Sequence, residues 1–341
     1  THNWGVNNGL IISTWDYLYG VIVQCNQSID KLTELKELDP SNEYFDIYKA
    51  EVRGIRAMYY YYLLDMFARV PIVESSLTQM KDVKQSERSE VFNFVKKELE
   101  ESIPLLADEK SADQGEYYGR MTKAAAYFLM AKLALNAEVY TDNDWTDQSR
   151  PDGKNIFFEV DGTTINAWQT AEAYCDKITA FGYRLEPDYT ANFAVYNESS
   201  VENIFTVPMS KTLYTNQMQY LFRSRHYNHA KALGLSGENG SSATIEALQT
   251  FGYDTDLQDP RFDFCYYAGT VYDLKGNVVK LDDGTVLVYE PWKVKLDISD
   301  EPYEKTAGAR MKKYEIDDKA MKDGKLMEND IVLFRYADVL L

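Results

Sequence analysis

The chain has 341 residues, with 36 Lys and Arg against 54 Asp and Glu and a net charge of −18. A hydrophobic fraction of 45% with 26% charged residues makes it globular rather than disordered. Its acidity excludes nucleic acid and anionic lipid surfaces as partners, because both repel it. Aromatic residues are 14% of the chain, and 27 tyrosines outnumber 15 phenylalanines and 5 tryptophans. Tyrosine joins an apolar body to a polar tip, which suits a wet, sugar-like or peptide ligand and equally a packed helical array.

In chain order, residues 10–35 repeat apolar positions at helical spacing through Trp15, Leu18, Ile22, Cys25, Ile29 and Leu32. Residues 43–69 do the same and stop before Pro71. They contain four consecutive tyrosines, Tyr59 to Tyr62, which together cover every face of a helix. Neighbours on several sides would bury them. Residues 86–106 predict a third helix with Ser86 or Ser89 as N-cap. Residues 121–140 are apolar nearly all round and rich in alanine, the pattern of a helix held between two layers. A fifth helix is predicted at about 164–181, burying Trp168, Cys175 and Ile178. The long-helix, connector, long-helix rhythm predicts stacked helical hairpins without a strict repeat.

Beyond residue 183 the pattern changes. Residues 201–208 read as a short strand, 224–244 as a long loop, and 262–292 as a β-ribbon with turns at Lys-Gly-Asn and Asp-Asp-Gly-Thr. The last apolar run, 330–341, reads as a helix. The predicted organisation is a helical scaffold over 1–182, a loop-rich ligand-binding part over 183–328, and the start of a further scaffold helix over 329–341.

No stretch of 18 apolar residues occurs, so no membrane-spanning helix is predicted. There is no signal peptide at Thr1, no initiator Met, and the chain stops inside an apolar pattern, so truncation at both ends is expected. Cys25, Cys175 and Cys265 are odd in number and form no CxxC, so Cys25 and Cys175 read as small core hydrophobes.

Signals for catalysis are weak throughout. His226 and His229 form H-x-x-H, but no third ligand accompanies them and HExxH is absent. There is no GxSxG and no phosphate-binding glycine loop. Asp142, Asp144 and Asp147 cluster in an oxygen-rich loop that calcium could use. In EF-hand register, however, Asp147 stands where Gly is required and Gly153 where Glu is required. No cofactor is expected, with calcium at that loop the one alternative. Aromatic and amide residues in loops remain. Sugar rings stack their C–H faces on Trp and Tyr and offer hydroxyls to amides, carboxylates and guanidinium groups. Three stretches supply that chemistry: Trp4, Asn7 and Asn8; Arg223, His226, Tyr227 and Asn228; and Tyr289 and Trp292. Trp4 and Tyr227 are the expected stacking residues, and Asn8 and Asn228 the expected hydroxyl contacts.

Six stretches in order, "WDYLYGVIVQCNQSIDKL", "EVRGIRAMYYYYLLDMFARVPIV", "YGRMTKAAAYFLMAKLALNAEVY", "DPRF", "GARMKKYE" and "NDIVLFRYADVLL", resemble the SusD/RagB family over essentially the whole chain. The one departure is "FARVP", where Ala68 and Arg69 replace the family's usual Gly-Asp after an aromatic. The resemblance implies a mainly α fold with tetratricopeptide-like helix pairs and a loop-rich part carrying the ligand site. It also implies a lipid-anchored outer-membrane protein, exposed at the cell surface and not an enzyme. Such a protein binds glycans for uptake with a SusC-like TonB-dependent transporter. The anchoring Cys would lie outside this chain. Peptide capture by the same complex, or a peptide-binding helical-repeat module, is the alternative.

Overall fold

The computed structural model describes residues 5–212, 224–320 and 327–341. The protein is mainly α-helical, with short two-stranded sheets. Its contacts divide it into two units. One holds the chain up to Arg184 with Glu202–Phe205 and Phe334–Leu341; the other holds Leu185–Val201 and Thr206–Leu333.

The first unit is the helical one. It contains α1 (Gly9–Leu38), α2 (Tyr44–Phe67), α3 (Arg88–Ser102), α4 (Lys123–Leu135), α5 (Ala137–Thr141) and α6 (Ala167–Ala180). Helix α1 packs on α2, α2 on α3, and α4 on α6. The α1 stripe Leu18, Ile22, Cys25 and Ile29 is buried, whereas its outer face stays in water. Helix α2 is buried on more than one side, because α1 and α3 flank it. Gly54 lets it approach the connection that leads into α4: a Cβ there would stand 2.7 Å from the Met121 Cγ.

The four tyrosines divide by face. Tyr60 is 0% exposed, with its ring edge-on to Phe94 at 4.8 Å and its hydroxyl accepting the Val73 N–H at 2.8 Å. Tyr61 is also buried and meets Tyr140 edge-on. Tyr59 and Tyr62 are only half-buried, and the Tyr59 hydroxyl meets that of Tyr17 at the solvent edge. Each fully buried ring contributes about 1.5–3 kcal/mol, so the pair at the centre anchors the hairpin stack.

Several local expectations need correction. The N-cap of α3 is Glu87, whose backbone N–H donates to the Glu90 carboxylate at 2.7 Å; neither serine serves. The run 121–140 breaks at Asn136 into α4 and α5. Before α6 an antiparallel hairpin forms between β1 (Phe157–Val160) and β2 (Thr163–Asn166). Its turn residues Asp161 and Gly162 both have positive φ, the Asp-Gly hairpin turn. Trp15, Trp168 and Cys175 are half-buried, whereas Cys25 is buried. Trp168 packs so close to Gly153 that a Cβ there would fall 2.5 Å from the indole.

In the second unit, the expected loop 224–244 contains a short helix, α7 (Tyr227–Ala232). The segment 262–292 opens with a helical turn, Phe262–Cys265, and then runs as the expected ribbon. Gly269–Thr270 pairs with Val288–Tyr289, and bridges join Tyr272 to Val278 and Lys280 to Val286. Gly276 and Gly284 sit at positive φ in its two turns. Near the end of the chain, Ile331–Arg335 is a strand paired with Asn203–Val207, and the helix begins only at Tyr336. Ile331 and Val332 are β-branched, and a short apolar run does not separate strand from helix by period alone.

Candidate ligand-binding site

Within the loop-rich unit, α7 lies against the β-ribbon through one buried cluster of polar and aromatic groups. The His226 backbone N–H donates to the Tyr289 hydroxyl at 2.8 Å, and His229 Nδ1 lies 3.1 Å from the same oxygen. The His229 ring stands edge-on to Tyr267 at 4.6 Å, and the Arg225 guanidinium lies over that tyrosine at 5.0 Å. Arg310 is 2% exposed and is held by the carbonyls of Ser224, Ser241 and Lys305 and by the face of Tyr289. These contacts fix the first turn of α7 on the ribbon.

Above them is an open cavity of about 400 Å³ lined by His226, Asn228, Asp282, Asp283, Glu301 and Lys305, among others. The His226 Nδ1 caps the helix by accepting the Asn228 N–H at 3.1 Å. Asn228 Nδ2 donates to the Lys280 carbonyl at 3.0 Å and to Asp282 Oδ1 at 2.9 Å, tying helix to ribbon turn. Asp283 turns inward on its own loop, accepting from the Thr285 N–H and hydroxyl. Burial, followed by the charges of Arg310 and Lys305, lowers the His226 pKa. Burial, then Arg225 and His226, drops His229 to about 3, and burial pushes Tyr289 up to about 12. At neutral pH both imidazoles and the phenol are therefore uncharged. The cavity offers carboxylate acceptors, imidazole and ammonium donors and a tethered amide, a set suited to hydroxyl groups.

The residues expected to bind ligand fall in different places. His226 and Asn228 line this cavity. Tyr227, next to them, is 53% exposed, with its ring edge-on to His226. Tyr289 lies beneath, 1% exposed, so its ring has no face to offer and its role is to hold α7. Trp292 is 45% exposed and tilts against Tyr253 at 5.9 Å. Asn7 and Asn8 belong to the helical unit. Asn7 is exposed, and the Asn8 carboxamide oxygen caps α1 by accepting the Leu10 and Ile11 N–H groups. Trp4 and Arg223 lie outside the described residues. Asp282, Asp283, Glu301 and Lys305 were not singled out in the sequence. The Asp-Asp-Gly-Thr signal that marks a ribbon turn was the one available clue, and it speaks of backbone before chemistry.

No group of three or more His, Cys, Asp or Glu side chains among the described residues is arranged to hold a metal ion. No described helix is long and apolar enough to cross a membrane.

Comparison with known proteins places the chain. Residues 1–135 match the SusD-like family described as starch-binding and associating with the outer membrane. The starch-binding protein SusD of Bacteroides thetaiotaomicron is 28% identical over 152 residues, 45% of this chain and 22% of that protein. Among solved structures, a SusD superfamily protein from Parabacteroides distasonis superposes with a TM-score of 0.67 at 19% identity, covering 97% of this chain and 61% of that one. Surface glycan-binding protein A from Bacteroides uniformis gives 0.64 at 20% identity, over 96% of this chain and 60% of that one. A laminarin-binding SusD-like protein gives 0.63 at 20%, over 96% and 64%. The chain thus spans about three-fifths of the length of these structures, and its match covers about a fifth of the curated relative.

Proposed function

We propose that this chain, which is similar to the SusD-like family, captures glycans at the bacterial cell surface. The observation that carries this reading is the cavity beside α7. There a tethered amide, an imidazole and several carboxylates converge next to an exposed tyrosine. A pyranose presents C–H faces to a ring and hydroxyls to planar polar groups, and this cavity offers both. The starch-binding and laminarin-binding relatives support a carbohydrate as the ligand class. In this reading Tyr227 stacks a sugar ring, Asp282 accepts hydroxyl protons, and the His226 Nε2–H and Lys305 donate. Asn228 contributes by holding the turn that carries Asp282.

In this reading the protein binds a glycan and does not cleave it. Its partner in this proposal is a SusC-like TonB-dependent transporter, and its place is the outer face of the outer membrane through a lipid anchor. The test is retardation in gels cast with single polysaccharides, comparing wild type with Tyr227→Ala. Slowed migration of wild type in at least one glycan, relieved in the variant, supports the reading. A wild type that no glycan retards, while peptides bind it tightly, would overturn it in favour of peptide capture.

A further inference from the structure

A second cavity, of about 420 Å³, lies wholly within the helical unit, between the turn that ends α2 and the loop that follows α5. Phe67, Arg69, Gln85, Arg88, Asn143 and Trp145 line it. Its volume falls within the range of about 300–1,000 Å³ usual for small-molecule sites. Trp145 is 68% exposed and shares no ring contact with another aromatic among the described residues. An exposed indole at a cavity mouth keeps a ring face open on which an apolar C–H face can stack.

The loop that carries this indole is tied down from two directions. Asn143 exchanges two hydrogen bonds with Ser89 at the start of α3, at 2.9 and 3.0 Å, and its carbonyl accepts from Arg69 Nη2 at 2.6 Å. The Trp145 carbonyl accepts from Arg150 Nη2 at 2.5 Å. The opposite wall is a strained turn: Ala68 has φ 62° and ψ −76°, and the Arg69 N–H donates to the Phe67 carbonyl at 2.8 Å, closing a γ-turn of the rare kind. Both walls are therefore preorganised.

Charge decides the ligand class. The two guanidinium groups at the cavity already have partners: Arg69 pairs with Glu87 at 2.9 Å, and Arg88 donates to the Val139 carbonyl at 3.0 Å. Asp142 and Asp144 line the same cavity, so an anion meets carboxylates as well as arginines. A neutral polyhydroxyl ligand meets no such conflict, and it uses the ring, the guanidinium edges and the Gln85 and Asn143 amides together.

We propose that this cavity is a second saccharide-contacting site, with Trp145 as its stacking platform. The inference rests on the glycan-capture reading and adds to it a contact on the helical unit, so that one polysaccharide can engage the protein through more than one of its sugar rings.

The experiment follows the indole N–H resonance of Trp145, assigned by its loss in Trp145→Phe, during titration with neutral oligosaccharides and polysaccharides. Trp145→Ala is run beside wild type in polysaccharide gels. The expected result is a saturable shift of the Trp145 resonance and a several-fold loss of retardation in Trp145→Ala, with circular dichroism unchanged. If the polysaccharide retards wild type and Trp145→Ala alike and the resonance does not move, this site is refuted while glycan capture stands. If no glycan retards wild type or moves the resonance, both readings fall.

Discussion

Arg56 and Glu98 form an ion pair of 2.6 Å between α2 and α3, with side-chain exposures of 4% and 3%. The other oxygen of Glu98 takes Arg53 at 2.7 Å, and Arg56 also reaches the Asn26 side chain and the Glu74 carbonyl. One carboxylate therefore bridges two guanidinium groups where α1, α2 and α3 meet. Glu98→Ala leaves Arg56 charged and buried, and it is expected to lose about 3–5 kcal/mol in urea unfolding. Arg56→Met combined with Glu98→Leu removes both buried charges, and Arg53 keeps Glu101 at 2.6 Å. The double variant should recover most of that loss. A double variant no more stable than Glu98→Ala would show that the pair contributes attraction beyond cancelling its own burial.

Ala68 makes a prediction of opposite sign. Its backbone sits at φ 62°, ψ −76°, a conformation that costs a side-chain-bearing residue about 1–3 kcal/mol. Glycine adopts positive φ freely and gives back about 0.5–1 kcal/mol through the entropy of the unfolded chain. Ala68→Gly is therefore expected to stabilise the protein by about 1 kcal/mol, raising Tm by a few degrees. An unchanged or lowered Tm would mean that the Phe67–Arg69 turn is relaxed in solution.

These residues also show what could be read without a structure. Helices α1, α2, α3 and α6 were legible because a buried stripe on a long segment repeats at 3.6 residues. The division among the tyrosines was not: composition says that a ring must be covered, but only the packing of α1 and α3 says which one. The strand Ile331–Arg335 was hidden because four apolar residues are too few to show a period. The cavity beside α7 was half legible. His226 and Asn228 are two residues apart, whereas Asp282 and Glu301 arrive from turns some fifty and seventy residues on, a juxtaposition set by ribbon register rather than by local pattern. Trp145 stands in an acidic loop of the sequence with nothing local to mark it, because exposure of a single indole is a tertiary property.

His229 ties stability to pH. Burial, with Arg225 and His226 nearby, holds its folded pKa at about 3, against about 6.5 in the unfolded chain. Between these values the unfolded chain binds a proton that the folded one refuses, so stability is fully present above about pH 6.5 and declines as pH falls toward 3. From pH 7 to pH 5 the expected loss from this group is about 2 kcal/mol. His229→Gln should flatten the dependence of urea midpoint on pH over that interval by a corresponding amount. Parallel curves for the two proteins would show that the imidazole takes its proton inside the fold.

Tyr227 and Tyr289 separate ligand contact from support, although both are tyrosines at the same cavity. The Tyr289 hydroxyl accepts from the His226 N–H and meets His229 Nδ1, all in a buried setting. Tyr289→Phe leaves the N–H without its acceptor and should cost about 1–3 kcal/mol of stability. Any effect on glycan retardation would follow from loosening of α7. Tyr227 is 53% exposed, so Tyr227→Ala should change stability by no more than about 0.5 kcal/mol while reducing retardation in a glycan gel. Measuring both variants by thermal unfolding and by gel mobility gives a crossed pattern if the assignment holds. If Tyr289→Phe abolishes retardation at full stability, or Tyr227→Ala unfolds the protein without touching the glycan, the two roles have been assigned the wrong way round.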